Sequence, residues 1–223
     1  MADHKGHRDR LRKRYLKHSL DTMPDDQALE LLLFYALPRK DTNPLARALL
    51  HHFGSLPAVL EASVEELTAV EGIGEQTAIL ISMLLPFSRR YLVARNEPGA
   101  VLTTTQACGE YLVPYFFGAK NEMLYVLCLD GRGKVLSCRK IQEGTFSSVS
   151  YTARKIAEVA MNCNACSIIL AHNHTSGRID PSLNDLDATT RLQSELLPLE
   201  IRLADHIIVS GEEYLSMADN GCL

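Results

Sequence analysis

The stretch Leu170-Ala171-His172-Asn173-His174-Thr175-Ser176-Gly177-Arg178-Ile179-Asp180-Pro181-Ser182-Leu183-Asn184-Asp185 decides how the second half of the chain is read. It continues the apolar run Ser167 to Ala171, which has the length and composition of a buried strand. His172 and His174 stand two apart at the end of that strand, where side-chain direction repeats every second residue, so both imidazoles can project from one face. A glycine-containing turn follows, able to fold the start of the next helix back toward the strand end. Asp185 would then join the two histidines at one point.

Two histidines and an aspartate are a three-ligand set. Zinc takes such nitrogen and oxygen donors tetrahedrally, and three protein ligands leave a fourth position for water. Bound water falls in pKa from roughly 15.7 to about 7, which makes it a nucleophile at neutral pH. A nearby carboxylate is then needed to move protons, and a hydroxyl can steady a developing oxyanion. Ser182 is placed for the second task. The same residues have a plainer reading: Ser182-x-x-Asp185 after Pro181 is a helix start with a serine N-cap and an acid in the first turn. His-x-His on a strand can equally be hydrogen-bonded packing. Capping does not exclude ligation, and the joint spacing would arise by chance about 0.001 times in a chain of this composition.

Strand-like segments surround this motif: Met123 to Leu129, Val135 to Ile141, Ser167 to Ala171 and Arg202 to Val209. Asp130-Gly131 with Gly133 is a hairpin turn between the first two. Helical patterns fill Tyr151 to Asn162 and Ser182 to Leu196. The order strand, strand, helix, strand, helix, strand predicts a mixed sheet with helices packed on it. The first half differs. Residues 8 to 90 read as helices separated by turns, with a capping box at Ser63-Val-Glu-Glu66, the turn Val70-Glu71-Gly72-Ile73-Gly74, and a helical pattern from Gln76 to Leu85. The polar Pro/Gly break Arg95 to Gly99 separates the halves. We expect an all-α domain over 1–95, a linker over 96–102 and a metal-binding α/β domain over 103–223.

The chain has 223 residues, 46% hydrophobic and 22% charged, near the globular average, which excludes a disordered or fibrous protein. The longest apolar runs noted, Leu29 to Leu37 and Ser167 to Ala171, fall short of the roughly 20 residues a bilayer requires, so no membrane span is expected. The polar N-terminus carries no signal-like apolar segment, and six sparse cysteines suit a reducing compartment, so the expected location is the cytoplasm. Net charge is +1 over residues 1–95 and −5 over 96–223. Seven basic residues lie between Lys5 and Lys17 against Asp9 alone. They could meet phosphates, or form a solvated helix face.

His172-x-His174-x(7)-Ser182-x-x-Asp185 resembles the JAMM (MPN-plus) motif of zinc-dependent isopeptidases, and the context His-Asn-His-x-Ser-Gly is similar to the bacterial RadC family. The likeness covers nearly the whole chain: Val70 to Gly74 matches the family's helix-hairpin-helix, and Asp205-His206-Ile-Ile-Val209 matches its closing Asp-His before a strand. The resemblance implies a JAMM/MPN (cytidine deaminase-like) mixed-sheet α/β domain behind a helix-hairpin-helix-like all-α domain. Zn²⁺ would be held by His172, His174 and Asp185. It further implies a hydrolase cutting a peptide or isopeptide bond of a peptide or protein substrate, with an upstream glutamate as general acid/base. Glu143, in Glu-Gly-Thr145 at a strand end, is the candidate, against a surface charge as its plainer reading. The family's description as a DNA repair protein supplies the alternative, in which the helical half contacts DNA and the metal site is structural or auxiliary. Two positions depart from the family pattern: Thr175 replaces a proline after the second histidine, and Ala153-Arg154-Lys155 stands for Pro-Arg-Glu.

Other motifs carry less. Cys163-Asn-Ala-Cys166 lacks the second Cys-x-x-Cys of a zinc ribbon and reads as buried thiols at a helix end. His51-His52 has no spaced partner and reads as surface. His206 beside Asp205 reads as a buried hydrogen-bonded pair, at most a support for the ligands.

Overall fold

A computed structural model describes residues 4–144 and 149–223. The chain divides into two compact units, Met1–Phe87 and Ser88–Leu223. Residues 96–102, read above as a linker, fall in the second unit. There Val101 pairs with Lys134, and the Leu102 amide donates to the Gly133 carbonyl at 2.8 Å.

The first unit is built from α1 (His4–His18), α2 (Asp25–Ala36), α3 (Asn43–Phe53), α4 (Leu56–Glu61), α5 (Val64–Thr68) and α6 (Glu75–Ser82). Its core draws on the apolar face of α2, where Leu29 and Leu33 meet Leu49, Val59, Leu67 and Ile81. Turn chemistry ends and starts these helices as expected: Gly54 closes α3 in the left-handed region, and the Ser63–Glu66 capping box opens α5. Three arginines of the basic run on α1 are engaged within the unit. Arg8 donates to the carbonyls of Leu37, Pro38 and Lys40 past the end of α2, Arg14 to the side chain of Gln27, and Arg12 pairs with Asp9. The Arg8 and Arg12 guanidiniums also lie over the Phe34 ring, at 4.5 and 5.9 Å from its centroid.

After α6 comes α7 (Leu84–Ala94), and here the shorter apolar runs counted from the sequence need correcting. Glu75–Ala94 spans 20 residues at mean hydropathy 1.2, enough by length and composition to cross a membrane. Its Thr77, Ala78 and Ile81 are nonetheless buried in the helical unit, and Arg89 and Arg90 place charge in its last turns.

Beyond α7 the second unit holds α8 (Thr105–Leu112), which the sequence reading did not anticipate, β1 (Met123–Leu129), β2 (Val135–Glu143), α9 (Val149–Asn162), β3 (Ser167–Asn173), α10 (Leu183–Leu196), β4 (Arg202–Ser210) and β5 (Glu213–Ser216). The sheet order is β2-β1-β3-β4-β5. All neighbours are antiparallel except β3 and β4, which run parallel and are joined through α10. The β1–β2 hairpin turns where expected, with the Asp130 carboxylate accepting from the Arg132 and Lys134 amides at 2.8 Å each.

Strand alternation splits the sheet's apolar residues between two faces. Leu124, Val126, Ile168 and Leu170 pack under α9 and α10. Met123, Leu127, Ile169 and Ala171 pack on the other face, against Cys108 and Leu112 of α8. A side chain at Gly109 would run into the Tyr214 ring, so glycine there lets α8 lie close to β5. Because β3 is central and covered on both faces, every one of its residues is buried. The two candidate histidines therefore stand at the end of a fully buried strand.

Candidate metal centre

His172 continues the Ile168, Leu170 alternation onto the α9/α10 face and is 3% exposed. His174 follows the end of the strand, its amide held by the Val209 carbonyl at 2.9 Å. The loop then turns at Gly177, which adopts φ +81°, and enters α10 through a capping box. Both the Ser182 amide and hydroxyl donate to Asp185 Oδ2, at 2.7 and 2.6 Å, while the Asp185 amide donates back to Ser182 Oγ at 3.2 Å. The same carboxylate faces the strand end, with Oδ1 3.2 Å from His172 Nε2 and Oδ2 3.3 Å from His174 Nε2. The two Nε2 atoms lie 2.9 Å apart. The loop folds the helix start back onto the strand, and capping and convergence coexist in one side chain.

The outer nitrogens of both rings are already engaged. His174 Nδ1 lies 2.9 Å from the Arg178 carbonyl and can only donate to it, which leaves Nε2 as the lone-pair nitrogen. His172 Nδ1 lies 2.7 Å from His206 Nε2. Burial would raise the Asp185 carboxyl, but its contacts with His172 and Ser182 outweigh that and hold the group well below the usual carboxylate range. His206 is pushed well below the ordinary imidazole range, first by burial and then by the neighbouring His172.

The remaining candidates are placed differently. The Ser182 hydroxyl proton is committed to Asp185. Glu143 ends β2 with its carboxylate on Lys140 Nζ at 2.5 Å and on Asn121 Nδ2 at 3.5 Å. Those bonds, from Lys140 first, draw its carboxyl below the ordinary range. Its partner across the ladder is Met123, whose side chain packs on the α8 face, opposite to that of His172. Thr145 of the same motif lies outside the described residues. Lys155 Nζ donates to the Ile141 carbonyl at 2.6 Å.

Strand alternation, carried past the start of β1, points to a different glutamate on the face of the histidines. Leu124 pairs with His172, and two residues earlier, where antiparallel register continues to His174, stands half-buried Glu122. Its carbonyl accepts from the Gly144 amide at 2.8 Å, which carries the ladder past the end of β1. Sequence reasoning missed it. The available signal was an acid in phase with the apolar positions 124, 126 and 128.

Cys163 Sγ bonds back to the Val159 and Ala160 carbonyls, Cys166 is exposed, and His51 and His52 are exposed. Among the described residues, His172, His174 and Asp185 form the cluster able to hold a metal ion, their ligand atoms all within 4.8 Å of one another.

The sheet order, the α10 crossover and a His-x-His/Asp cluster at the end of the central strand define a JAB/MPN-type domain, preceded here by a helical hairpin module. The family models agree: residues 102–222 match the RadC-like JAB domain, and 44–83 match the SAM-like helix-hairpin-helix tandem. The chain belongs to the RadC-like JAB family. Similar relatives include a UPF0758 protein of Janthinobacterium sp. (strain Marseille), 34% identical with 96% of each chain covered. The UPF0758 protein SPO0054 of Ruegeria pomeroyi is 35% identical with 97% of each covered. A UPF0758 protein of Nitrosococcus oceani is 35% identical with 96% of each covered.

Proposed function

We propose that the second unit is a zinc-dependent hydrolase that cleaves a peptide or isopeptide bond. The convergence of His172 Nε2, His174 Nε2 and the Asp185 carboxylate carries this reading. Tetrahedral zinc with bonds of about 2.0–2.1 Å sets its ligand atoms roughly 3.3 Å apart. The two Nε2 atoms lie 2.9 Å apart, and the carboxylate reaches each with a different oxygen, Oδ1 at 3.2 Å from His172 and Oδ2 at 3.3 Å from His174, close to that spacing. When bound, such an ion supplies Lewis acidity and a water of lowered pKa.

The chain's own residues do the rest. A carboxylate must take the water's proton and return it to the leaving nitrogen. Strand phase favours Glu122 for this role. Glu143, the residue singled out by its motif, could serve only if Lys140 and Asn121 released it. Ser182 would turn its hydroxyl from Asp185 toward the developing oxyanion.

The test combines metal analysis of the purified protein with hydrolysis of a peptide and isopeptide library. Glu122→Gln should keep zinc and slow turnover by about 100- to 10,000-fold, whereas Glu143→Gln should change it little. The reverse pattern would return the role to Glu143. A folded, zinc-loaded protein that cuts nothing in the library would overturn the hydrolase reading.

A second reading, DNA contact through the helical unit, is favoured by the helix-hairpin-helix match. In the α5–α6 turn Gly72 sits at φ +89°, and α6 starts at Gly74 with no side-chain cap, leaving amides able to meet a phosphate. Lys40 Nζ lies 3.4 Å from the Gly72 carbonyl. The internal use of Arg8, Arg12 and Arg14, and the flanking Glu71 and Glu75, weigh against strong binding. Affinity for duplex and branched DNA measured across a salt series decides it, because phosphate contacts demand a steep fall with salt.

A further inference from the structure

Behind the candidate ligands runs a buried line of hydrogen bonds. His172 Nδ1 lies 2.7 Å from His206 Nε2, and His206 Nδ1 lies 2.5 Å from Thr189 Oγ1. Thr189 Oγ1 lies in turn 2.6 Å from the Asp185 carbonyl. The line starts on one ligand, from β3, and ends on the backbone of another, from α10. His172 and His206 are each 3% exposed and Thr189 is 1% exposed, so solvent offers no substitute partner.

Hydrogen counting gives this line a direction. The Asp185 carbonyl can only accept, so the Thr189 hydroxyl must donate to it. Thr189 Oγ1 then accepts, which requires a proton on His206 Nδ1. An imidazole with a single ring proton, here spent on Thr189 through Nδ1, leaves its Nε2 to accept from His172 Nδ1–H. In the opposite order the Thr189 proton would go to His206, leaving two bare oxygens 2.6 Å apart in a dry site. His206 is itself anchored: Asp205 Oδ1 accepts its amide at 2.7 Å and the Ala218 amide at 3.0 Å, and Asp205 Oδ2 accepts the Ser216 hydroxyl at 2.6 Å.

We propose that His206 and Thr189 are positioning residues of the metal centre: together they keep the proton of His172 on Nδ1, turn its Nε2 lone pair toward His174 and Asp185, and tie strand β3 to helix α10. The inference rests on the metal-centre reading and extends it to residues that touch neither ion nor substrate. Sequence spacing drew attention to His206 but not to Thr189, whose role comes only from the packing of α10 on β4.

The test uses Thr189→Val, which keeps the shape and removes the hydroxyl, and Thr189→Ser, which restores it. Long-range proton–nitrogen correlation spectra of histidine-labelled, metal-free full-length protein report which ring nitrogens carry protons. In the unmodified protein His172 should be protonated at Nδ1. In Thr189→Val, His206 loses its acceptor and should move its proton to Nε2, forcing His172 to surrender Nδ1 as a donor. Zinc affinity from chelator competition should fall about 10- to 100-fold in Thr189→Val and stand near the original in Thr189→Ser. Cobalt-loaded samples should show a matching change in the visible absorption of Thr189→Val alone. Melting curves confirm that the variants are folded at the temperature of measurement. An unprotonated His172 Nδ1 in the original protein overturns the proposal. So does Thr189→Val with the original protonation pattern and zinc affinity. A protein that shows the expected Nδ1 proton yet takes up no zinc would uphold the strut and sink the metal-centre reading instead.

Discussion

The two units each contain a Ser-x-x-acid capping box with nearly the same geometry. In the helical unit the Ser63 amide donates to Glu66 Oε2 at 2.7 Å and the Glu66 amide to Ser63 Oγ at 3.1 Å. In the sheet unit the corresponding distances for Ser182 and Asp185 are 2.7 and 3.2 Å. Local sequence and local structure are thus alike. What differs is the surroundings: Asp185 also faces two imidazoles whose outer nitrogens are occupied. A helix start becomes a candidate ligand when the tertiary fold lays it across the end of a strand that ends in histidines.

The strongest way to break this comparison is to neutralise each acid in turn. Asp185→Asn keeps a side chain able to cap but removes the charge, and should abolish stoichiometric zinc uptake. The stabilisation by zinc expected in calorimetry, about 2.7 kcal/mol at free zinc 100-fold above the dissociation constant, should be absent from this variant. Glu66→Gln should leave both untouched. Equal zinc uptake by the two variants would mean that the boxes are the same device after all.

A smaller effect separates buried acids that hold structure from one that gathers ligands. Glu30, 1% exposed, accepts from His7 Nε2 at 3.0 Å and Asn43 Nδ2 at 2.8 Å, each of its oxygens meeting a donor. Glu30→Ala leaves the Asn43 amide without that acceptor and should cost about 1–3 kcal/mol in denaturant unfolding, with zinc uptake unchanged. The smallest effects come from the caps themselves. Ser63→Ala and Ser182→Ala should each lose about 1 kcal/mol of stability. Only Ser182→Ala should also weaken zinc, since only that serine holds a carboxylate facing the histidines.

Much of this architecture could be read before any coordinates. Short strand-like runs located β1 through β4, and the 3.6-residue pattern located α9 and α10, because strands covered on both faces are apolar at nearly every position and the helices covering them are apolar on one side. The short edge strand β5 and helix α8 were not found. Each is brief, and each owes its place to neighbours, as the close approach of Gly109 to Tyr214 shows. The His-x-His and Ser-x-x-Asp pair was visible because its spacing is local on each side of a single loop. That Glu143 falls out of phase with them was not. Pairing between β1 and β2 slips between Leu124 and Tyr125, so Glu143 aligns with Met123 rather than with the residues under α10. One irregularity in a ladder redirects every side chain beyond it.

By itself the amino-acid order determined the elements and the kinds of donor available, since periodicity, capping and ligand chemistry depend on residue types a few positions apart. Only the tertiary structure decided which nitrogen of His172 faces His174 and Asp185, that Thr189 stands behind it, and that Glu143 pairs with Met123, out of phase with it. Those outcomes depend on strand register and on hydrogen bonds between residues up to 34 positions apart, as from His172 to His206. No local pattern encodes such distances; they are set when β3, α10 and β4 close on one another and each buried polar atom has to find a partner.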